Sequence, residues 1–361
     1  MVPPIDSFIE TPARTRIRVG LAPVQNAIQS LLLLTKTKEL SGLGDWVINT
    51  AHQLSPEERK QHYRVTIAFY HAITPEQRWS SFPVYIQHLT EMDPNDLRDK
   101  MLNNYFKVNP SKATDNFTKE TVIASEENYI AFLKERFAES YIDEELERWA
   151  YGYVIDPPAM QKLITSHLQR YWDDYLEIEW ERTLPTLKKA VKAFQHVDFS
   201  QMDDFQAIKY VTGQTLDSEF WENKCQESDG LFFAPSLHVG PYLGRYFVDD
   251  QLGFIFGARL PDDAPIYAPE LSQAEIYVRL NALADETRLK ILRHISTQGE
   301  SCSTEIIESF DLSQSATSRH LTQLTAAGYL IARRIDGAKC YRLDKERIAN
   351  TLDTIKVFLA L

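Results

Sequence analysis

No apolar run in this 361-residue chain approaches the ~20 residues that a membrane-spanning helix needs. The longest aliphatic stretch is Leu31 to Leu34, inside Ala27 to Leu34. A soluble protein with no membrane partner is expected. The first residues lack the basic stretch and apolar core of a secretory signal and carry Pro3, Pro4, Asp6 and Glu10 instead, which points to a cytoplasmic protein. Cysteine is scarce: Cys225, Cys302 and Cys340 are odd in number and far apart, a poor pattern for a disulfide framework. All three are expected to be free thiols.

Catalytic signatures are missing as well. Residues 1 to 270 contain no Gly-x-Ser-x-Gly elbow, no P-loop, no His-Glu-x-x-His and no dinucleotide fingerprint, and Gly42-Leu43-Gly44 stands alone. No catalytic residue and no cofactor is therefore expected. His52, His62 and His71 are too far apart to share a helical face as ligands and read as surface residues. The acids Asp173, Asp174, Glu177, Glu179 and Glu181 form a solvated face opposite Leu168, Trp172, Tyr175 and Leu176, whose spacing marks core.

What is present is an ordinary globular composition, 43% hydrophobic and 25% charged, with an uneven charge. The net charge is −12, yet residues 271 to 361 hold twelve Lys plus Arg against eleven Asp plus Glu. The excess of acid lies in the first 270 residues. Ser313 to Arg342 carries Arg319, Arg333, Arg334, Lys339 and Arg342 against Asp336 alone, the asymmetry expected when one module meets phosphate.

The predicted fold is mainly α with small β elements: a helical N-terminal domain with a small sheet, then a winged helix-turn-helix domain. Ser55-Pro56-Glu57-Glu58 and Thr74-Pro75-Glu76-Gln77 each read as a helix start. Thr118 to Ser140 and Pro158 to Phe194 read as long helices, the second kinked or split at Pro185. Arg14 to Leu21 alternates as a short strand, and Leu231 to Phe233 and Tyr242 to Ala258 read as strands with a turn at Asp249-Asp250. Pro261 to Pro269 is the best linker in the chain. The expected domains are residues 1 to 265, a sensor or assembly domain with its sheet near 230 to 260, and residues 271 to 361, with the boundary near 265.

Within the second domain Ser272-Gln273-Ala274-Glu275 is a capping box leading into Ile276, Leu280 and Leu283. Asp285-Glu286-Thr287-Arg288 opens a second helix, ended by Gly299, and a short third follows near Ser303 to Ser309. Ser313 then caps a helix from Gln314 that places Thr317, Leu321 and Leu324 on one face and Gln314, Ser315, Ser318 and Arg319 on the other. Small and hydrogen-bonding side chains permit close approach to base edges in a major groove. His320 points between the faces. Gly328 ends the helix, and Asp336-Gly337 joins two strands into a wing on which Arg333, Arg334 and Lys339 surround the turn. Those residues suit phosphate contact, or ordinary protection of an edge strand by charge. Their order after the helix favours the former, and double-stranded DNA is the expected partner.

Leu283 to Leu292, Leu312 to Leu324, Ala327-Gly328-Tyr329-Leu330 and the Arg333 to Leu343 hairpin together resemble the ArsR/SmtB family of winged-helix repressors. The resemblance covers roughly the last quarter of the chain. It implies a homodimeric repressor that binds palindromic operator DNA and releases it on binding an effector, with Ser313, Gln314, Ser315, Ser318, Arg319 and His320 at the DNA. Family members that sense metal on the third helix carry two cysteines one residue apart; here Thr304 stands in the second place after Cys302, and Asp344 to Leu361 has no histidine for the other common site. No regulatory metal is expected, and Cys302 and Cys340 read as small packing residues. Ile348, Leu352, Ile355 and Leu359 form an apolar stripe that, with Ile276 and Leu280, resembles the family's dimer interface; packing on the N-terminal domain is the alternative.

Phe233, Ser236, His238 and Tyr242 combine aromatics with a polar pair between prolines and a glycine, a composition suited to a small-molecule effector pocket or to a turn between core strands. The aromatics Trp149, Tyr151 and Tyr153 are a second place to look. The competing reading of the whole chain is an enzyme or scaffold whose winged helix mediates protein interaction.

Overall fold

The computed structural model describes residues 16–108, 117–137, 142–216, 219–261, 269–335 and 338–359. By internal contacts the chain forms two compact units, one of residues 23–35 and 50–179 and one of residues 1–22, 36–49 and 180–361. By these contacts one division falls between residues 179 and 180. Residues 262–268 of the predicted linker lie outside the described residues.

Strand β1 (Ile17–Val19) precedes α1 (Pro23–Leu34), α2 (Asp45–Gln53), α3 (Pro56–Ala68) and the single turn α4 (Tyr70–Ile73). The predicted start of α3 is a complete capping box: the Glu58 N–H donates to Ser55 Oγ at 3.2 Å and the Ser55 N–H donates to Glu58 Oε2 at 3.0 Å. The start predicted at Thr74 does not occur. Thr74 instead closes α4, donating from Oγ1 to the Tyr70 carbonyl at 2.7 Å, so its side chain is spent backwards and caps nothing ahead.

Next come α5 (Phe82–Glu91), α6 (Pro94–Phe106), α7 (Lys119–Ala124) and α8 (Glu126–Arg136). The long helix expected from Thr118 is broken at Ser125, whose extended backbone ends α7 and whose Oγ accepts from the Asn128 N–H to begin α8. After α9 (Glu144–Val154), α10 (Pro157–Tyr171) runs through a π turn at Trp172–Leu176 into α11 (Glu177–Phe194). The irregularity lies at that turn; Pro185 sits inside α11. Pro185 has no N–H to donate to the Glu181 carbonyl, and Glu181 is exposed. Asp173, Asp174, Glu177 and Glu181 face solvent as expected, whereas Glu179 is buried.

His62 is not a surface residue. It is buried, with Nε2 2.8 Å from the Leu31 carbonyl and Nδ1 3.0 Å from His167 Nε2, and its ring stacks 4.4 Å from Tyr171. Burial holds its pKa at about 4 and that of His167 at about 3, so both rings are neutral at neutral pH.

The second unit contains α12 (Asp204–Thr212), α13 (Glu219–Gln226), β2 (Gly230–Ser236), β3 (Gly244–Val248) and β4 (Gln251–Gly257). The sheet order is β1-β2-β4-β3, with β1, β2 and β4 parallel and β3 antiparallel to β4. Asp249 and Asp250 take positive φ of 50° and 57°, the tight hairpin that joins β3 to β4. All of β2 is buried, as expected of a central strand covered on both faces. Phe233, Phe254 and Phe256 pack on Leu187, Val191 and Phe194 of α11 and Ile208 and Val211 of α12. Each such side chain contributes on the order of 1.5–3 kcal/mol.

The last elements are α14 (Pro269–Leu283), α15 (Glu286–Gln298), β5 (Glu300–Cys302), α16 (Ser303–Phe310), α17 (Gln314–Ala326), β6 (Leu330–Ile335), β7 (Ala338–Leu343) and α18 (Lys345–Phe358). Helix α14 begins ahead of the expected Ser272 cap. The three-stranded sheet has the order β5-β7-β6, antiparallel throughout. Ile291, Ile295, Ile306, Leu321, Leu324, Tyr329 and Tyr341 form one core beneath it.

Candidate nucleic-acid interface

Helix α17 starts where the sequence placed it. Ser313 is in extended backbone and its Oγ accepts from the Ala316 N–H at 3.2 Å. Thr317, Leu321 and Leu324 are buried, while Gln314, Ser315, Ser318 and Arg319 are exposed on the other side. Anchoring by the apolar face leaves a rigid outward row of short polar side chains and one guanidinium. His320 belongs to neither row: it is half-buried with Nδ1 3.9 Å from Asp285 Oδ1, and burial lowers its pKa against the pull of that carboxylate. Asp285 also caps α15 through the Arg288 N–H at 2.8 Å.

The wing divides its cations. Arg333 is engaged by Glu300, with Nε donating to Oε1 at 2.6 Å and Nη2 to Oε2, and this pair holds the Glu300 carboxyl below its usual range. Arg334 and Lys339 are exposed and lie directly opposite each other in the β6–β7 register. Like charges in that relation repel, so an anion bound between them would relieve a cost the fold already carries. The Lys339 ammonium lies 5.5 Å from the Tyr341 ring centre, and burial, Arg334 and Arg245 all lower its pKa. The turn residues 336–337 lie outside the described residues.

Cys302 and Cys340 are not free thiols; they form a disulfide. Although 38 residues apart in sequence, they occupy paired positions on β5 and β7, a closeness that spacing alone does not reveal. Cys225 is free and buried. Sequence reasoning also passed over Gln323, which is buried, accepts from Ser41 Oγ and donates to Asn281 Oδ1 at 3.3 Å. Its partners are distant in sequence, so no local signal marks it.

The predicted effector residues are only partly brought together. Phe233 stacks on Phe254 inside the core at 5.5 Å, and His238 stacks on Trp46 at 4.7 Å. Ser236 and Tyr242 line a cavity of about 70 Å³ with Thr212, Gln214, Arg259 and others, and Phe233 and His238 do not. Tyr242 is fixed to Ser41, its OH donating to the carbonyl at 2.9 Å. On the apolar stripe, Ile276 is buried and Ile348 packs on the winged-helix core, Ile355 is half-buried, and Leu280, Leu352 and Leu359 are exposed. Among the described residues, no group of three His, Cys, Asp or Glu could hold a metal ion, and no helix is long and apolar enough to cross a membrane.

Residues 285–332 match the family described as bacterial regulatory protein, arsR family. The ArsR of Halobacterium salinarum, named for an arsenical resistance operon, is 47% identical over 103 residues, 26% of this chain and 78% of that protein. The chain belongs to the arsR family. This arsR-family region is also 44% identical over 64 residues to the arsenic resistance transcriptional regulator ArsR1 of Pseudomonas putida, 18% of this chain and 50% of that protein. A Streptomyces lividans protein named for a mercury resistance operon is 46% identical over 70 residues, 19% of this chain and 54% of its own length. The chain thus spans about half the length of two of these relatives. A crystal structure of an ArsR family transcriptional regulator covers 26% of this chain and 88% of that chain at 23% identity with a TM-score of 0.21, too distant a superposition to bear on the fold.

Proposed function

We propose that this arsR-family chain is a DNA-binding transcriptional repressor that reads a palindromic operator as a homodimer, with a non-metal effector acting through the residues outside the winged helix. The observation that carries the reading is the exposed row Gln314, Ser315, Ser318 and Arg319 on a helix pinned by Thr317, Leu321 and Leu324, beside a wing that presents Arg334 and Lys339 together. Amides and hydroxyls read base edges, and Arg takes guanine or phosphate. Ser313 and Ser315, whose hydroxyls lie 3.2 Å apart at the helix start, are placed for a phosphate at the helix N-terminus. The relatives' names as resistance regulators and repressors support the same reading.

The exposed Leu280, Leu352 and Leu359 support a second copy as the partner of α14 and α18. The test is selection of genomic fragments by the purified full-length chain, followed by gel shift. The triple variant Gln314→Ala, Ser318→Ala, Arg334→Ala is expected to lose the selected fragment; undiminished binding by that variant would refute the assignment of this surface.

A further inference from the structure

In the unit that contains the winged helix, arginines gather where the sheet segment and α18 share a cavity. The cavity of about 70 Å³ is lined by Arg259, Arg279 and Arg347 together with Thr212, Gln214 and Tyr242. Among the described residues, its lining includes no carboxylate. Arg259 and Arg279 are almost fully buried, at 4% and 2% exposure. Several waters' worth of space is available, enough for a tetrahedral oxyanion.

Gly213 shows how closely the guanidiniums converge. A Cβ built on it would lie 2.7 Å from Arg259 Nη1 and 3.0 and 3.1 Å from Nη2 and Nη1 of Arg347. The two forks thus reach the same point beside a glycine whose positive φ of 71° ends α12. Only a residue without a side chain lets both forks approach the backbone this closely. A second cavity of about 440 Å³ shares Arg259 and Arg347 with the first, and Gly213, Met202, Tyr210 and Lys209 also line it. Its acids are Asp344, which accepts from the Arg347 N–H at 2.9 Å, and Glu346, which lies 3.7 Å from Lys209.

We propose that these neighbouring cavities, which share Arg259 and Arg347, form a site for a phosphate-bearing small molecule, its phosphate at Arg259 and Arg347 and its body along Met202 and Tyr210. Guanidinium forks match phosphate oxygens bidentately. The site has a direct connection to the DNA-facing elements. Arg347 lies on α18, which carries the exposed Leu352, and its Nε donates to the Ala327 carbonyl at the end of α17 at 3.2 Å. Gln214 on the opposite wall donates to the Ala326 carbonyl at 2.9 Å. A ligand that draws Arg347 toward Arg259 therefore pulls on the C-terminus of the helix proposed to read DNA. The effector role rests on the repressor reading; the binding site does not.

The test is equilibrium dialysis of the full-length chain against inorganic phosphate at ionic strength held constant with chloride, repeated with a hexose phosphate and with succinate. Saturable phosphate binding is expected, weakened at least tenfold in Arg347→Gln and in Arg259→Gln and retained in Lys162→Ala, which removes an exposed cation of α10. Circular dichroism melting confirms that each variant is folded; because Arg259 is buried, the half-buried Arg347 decides. Tighter binding of the hexose phosphate would assign the larger cavity to the sugar, and equal binding would make the free ion the ligand. No saturable phosphate binding, preference for succinate, or loss of binding in Lys162→Ala but not in Arg347→Gln would overturn the site. Gel shifts with the same protein separate the two readings. An effector should change DNA affinity by about fivefold or more; bound phosphate with unchanged DNA affinity removes the effector role, and absence of any DNA binding removes the repressor reading while the site stands.

Discussion

The wing makes an unequal prediction for two adjacent arginines. Arg334 is exposed opposite Lys339, whereas Arg333 already holds Glu300 through two hydrogen bonds. Each phosphate contact contributes about 0.9 to the slope of log affinity against log salt. Arg334→Ala should therefore lower the slope by about 0.9 per protomer, or about 1.8 for a dimer on its operator. Between 50 and 200 mM salt the wild-type complex would then weaken about twelvefold more than the variant complex. Arg333→Ala should change the slope by less than half as much, because its charge is neutralised before DNA arrives. Fluorescence anisotropy titrations of a labelled operator at four or more salt concentrations measure both slopes. Equal slopes for the two variants would refute the partition of the wing cations.

Thiol titration of denatured, unreduced protein should find one thiol, from Cys225, and three after reduction; three before reduction would disprove the Cys302–Cys340 bond. Acidification should destabilise the chain below pH 6.5, because depressed folded pKa values at His62 and His167 let the unfolded state bind protons first. Glu147, raised to about 7 by burial, takes its proton in the folded state over the same range and offsets one histidine. A net loss of stability remains as pH falls from 6 to 5, read from urea midpoints, and Glu147→Gln should steepen it; a flat profile in both proteins would contradict the buried pair. Leu352→Asp on the exposed face of α18 should shift sedimentation from dimer to monomer, and an unchanged dimer would move the interface elsewhere.

Helix α17 and the wing were legible because their signals are local. Ser313 as cap, Thr317, Leu321 and Leu324 at helical spacing, and alternating strands around a turn each depend on neighbours within a few residues. The misread elements depended on partners that the local pattern did not reveal, whether four residues away or more than a hundred. Thr74 carries a cap signature, yet its hydroxyl is taken by Tyr70. His62 became a core residue only because Leu31 and His167 meet it. Cys302 and Cys340 are brought opposite by strand register. Of the stretch Phe233 to Tyr242, Ser236 and Tyr242 line a cavity and Phe233 and His238 do not, and its arginines, 259, 279 and 347, lie further along the sequence where no local pattern joins them to it.

The bond from Ser41 to Gln323 joins residues 282 positions apart, and Tyr242 holds the same early segment. On the ribosome this closure cannot form until Gln323 has emerged, long after Ser41, so the contact is a late one to set. Cutting the chain ahead of α14 would strip Gln323 of its Ser41 donor and leave the Ala326 carbonyl without Gln214, so the severed fragment should be looser than the same helices within the intact polypeptide.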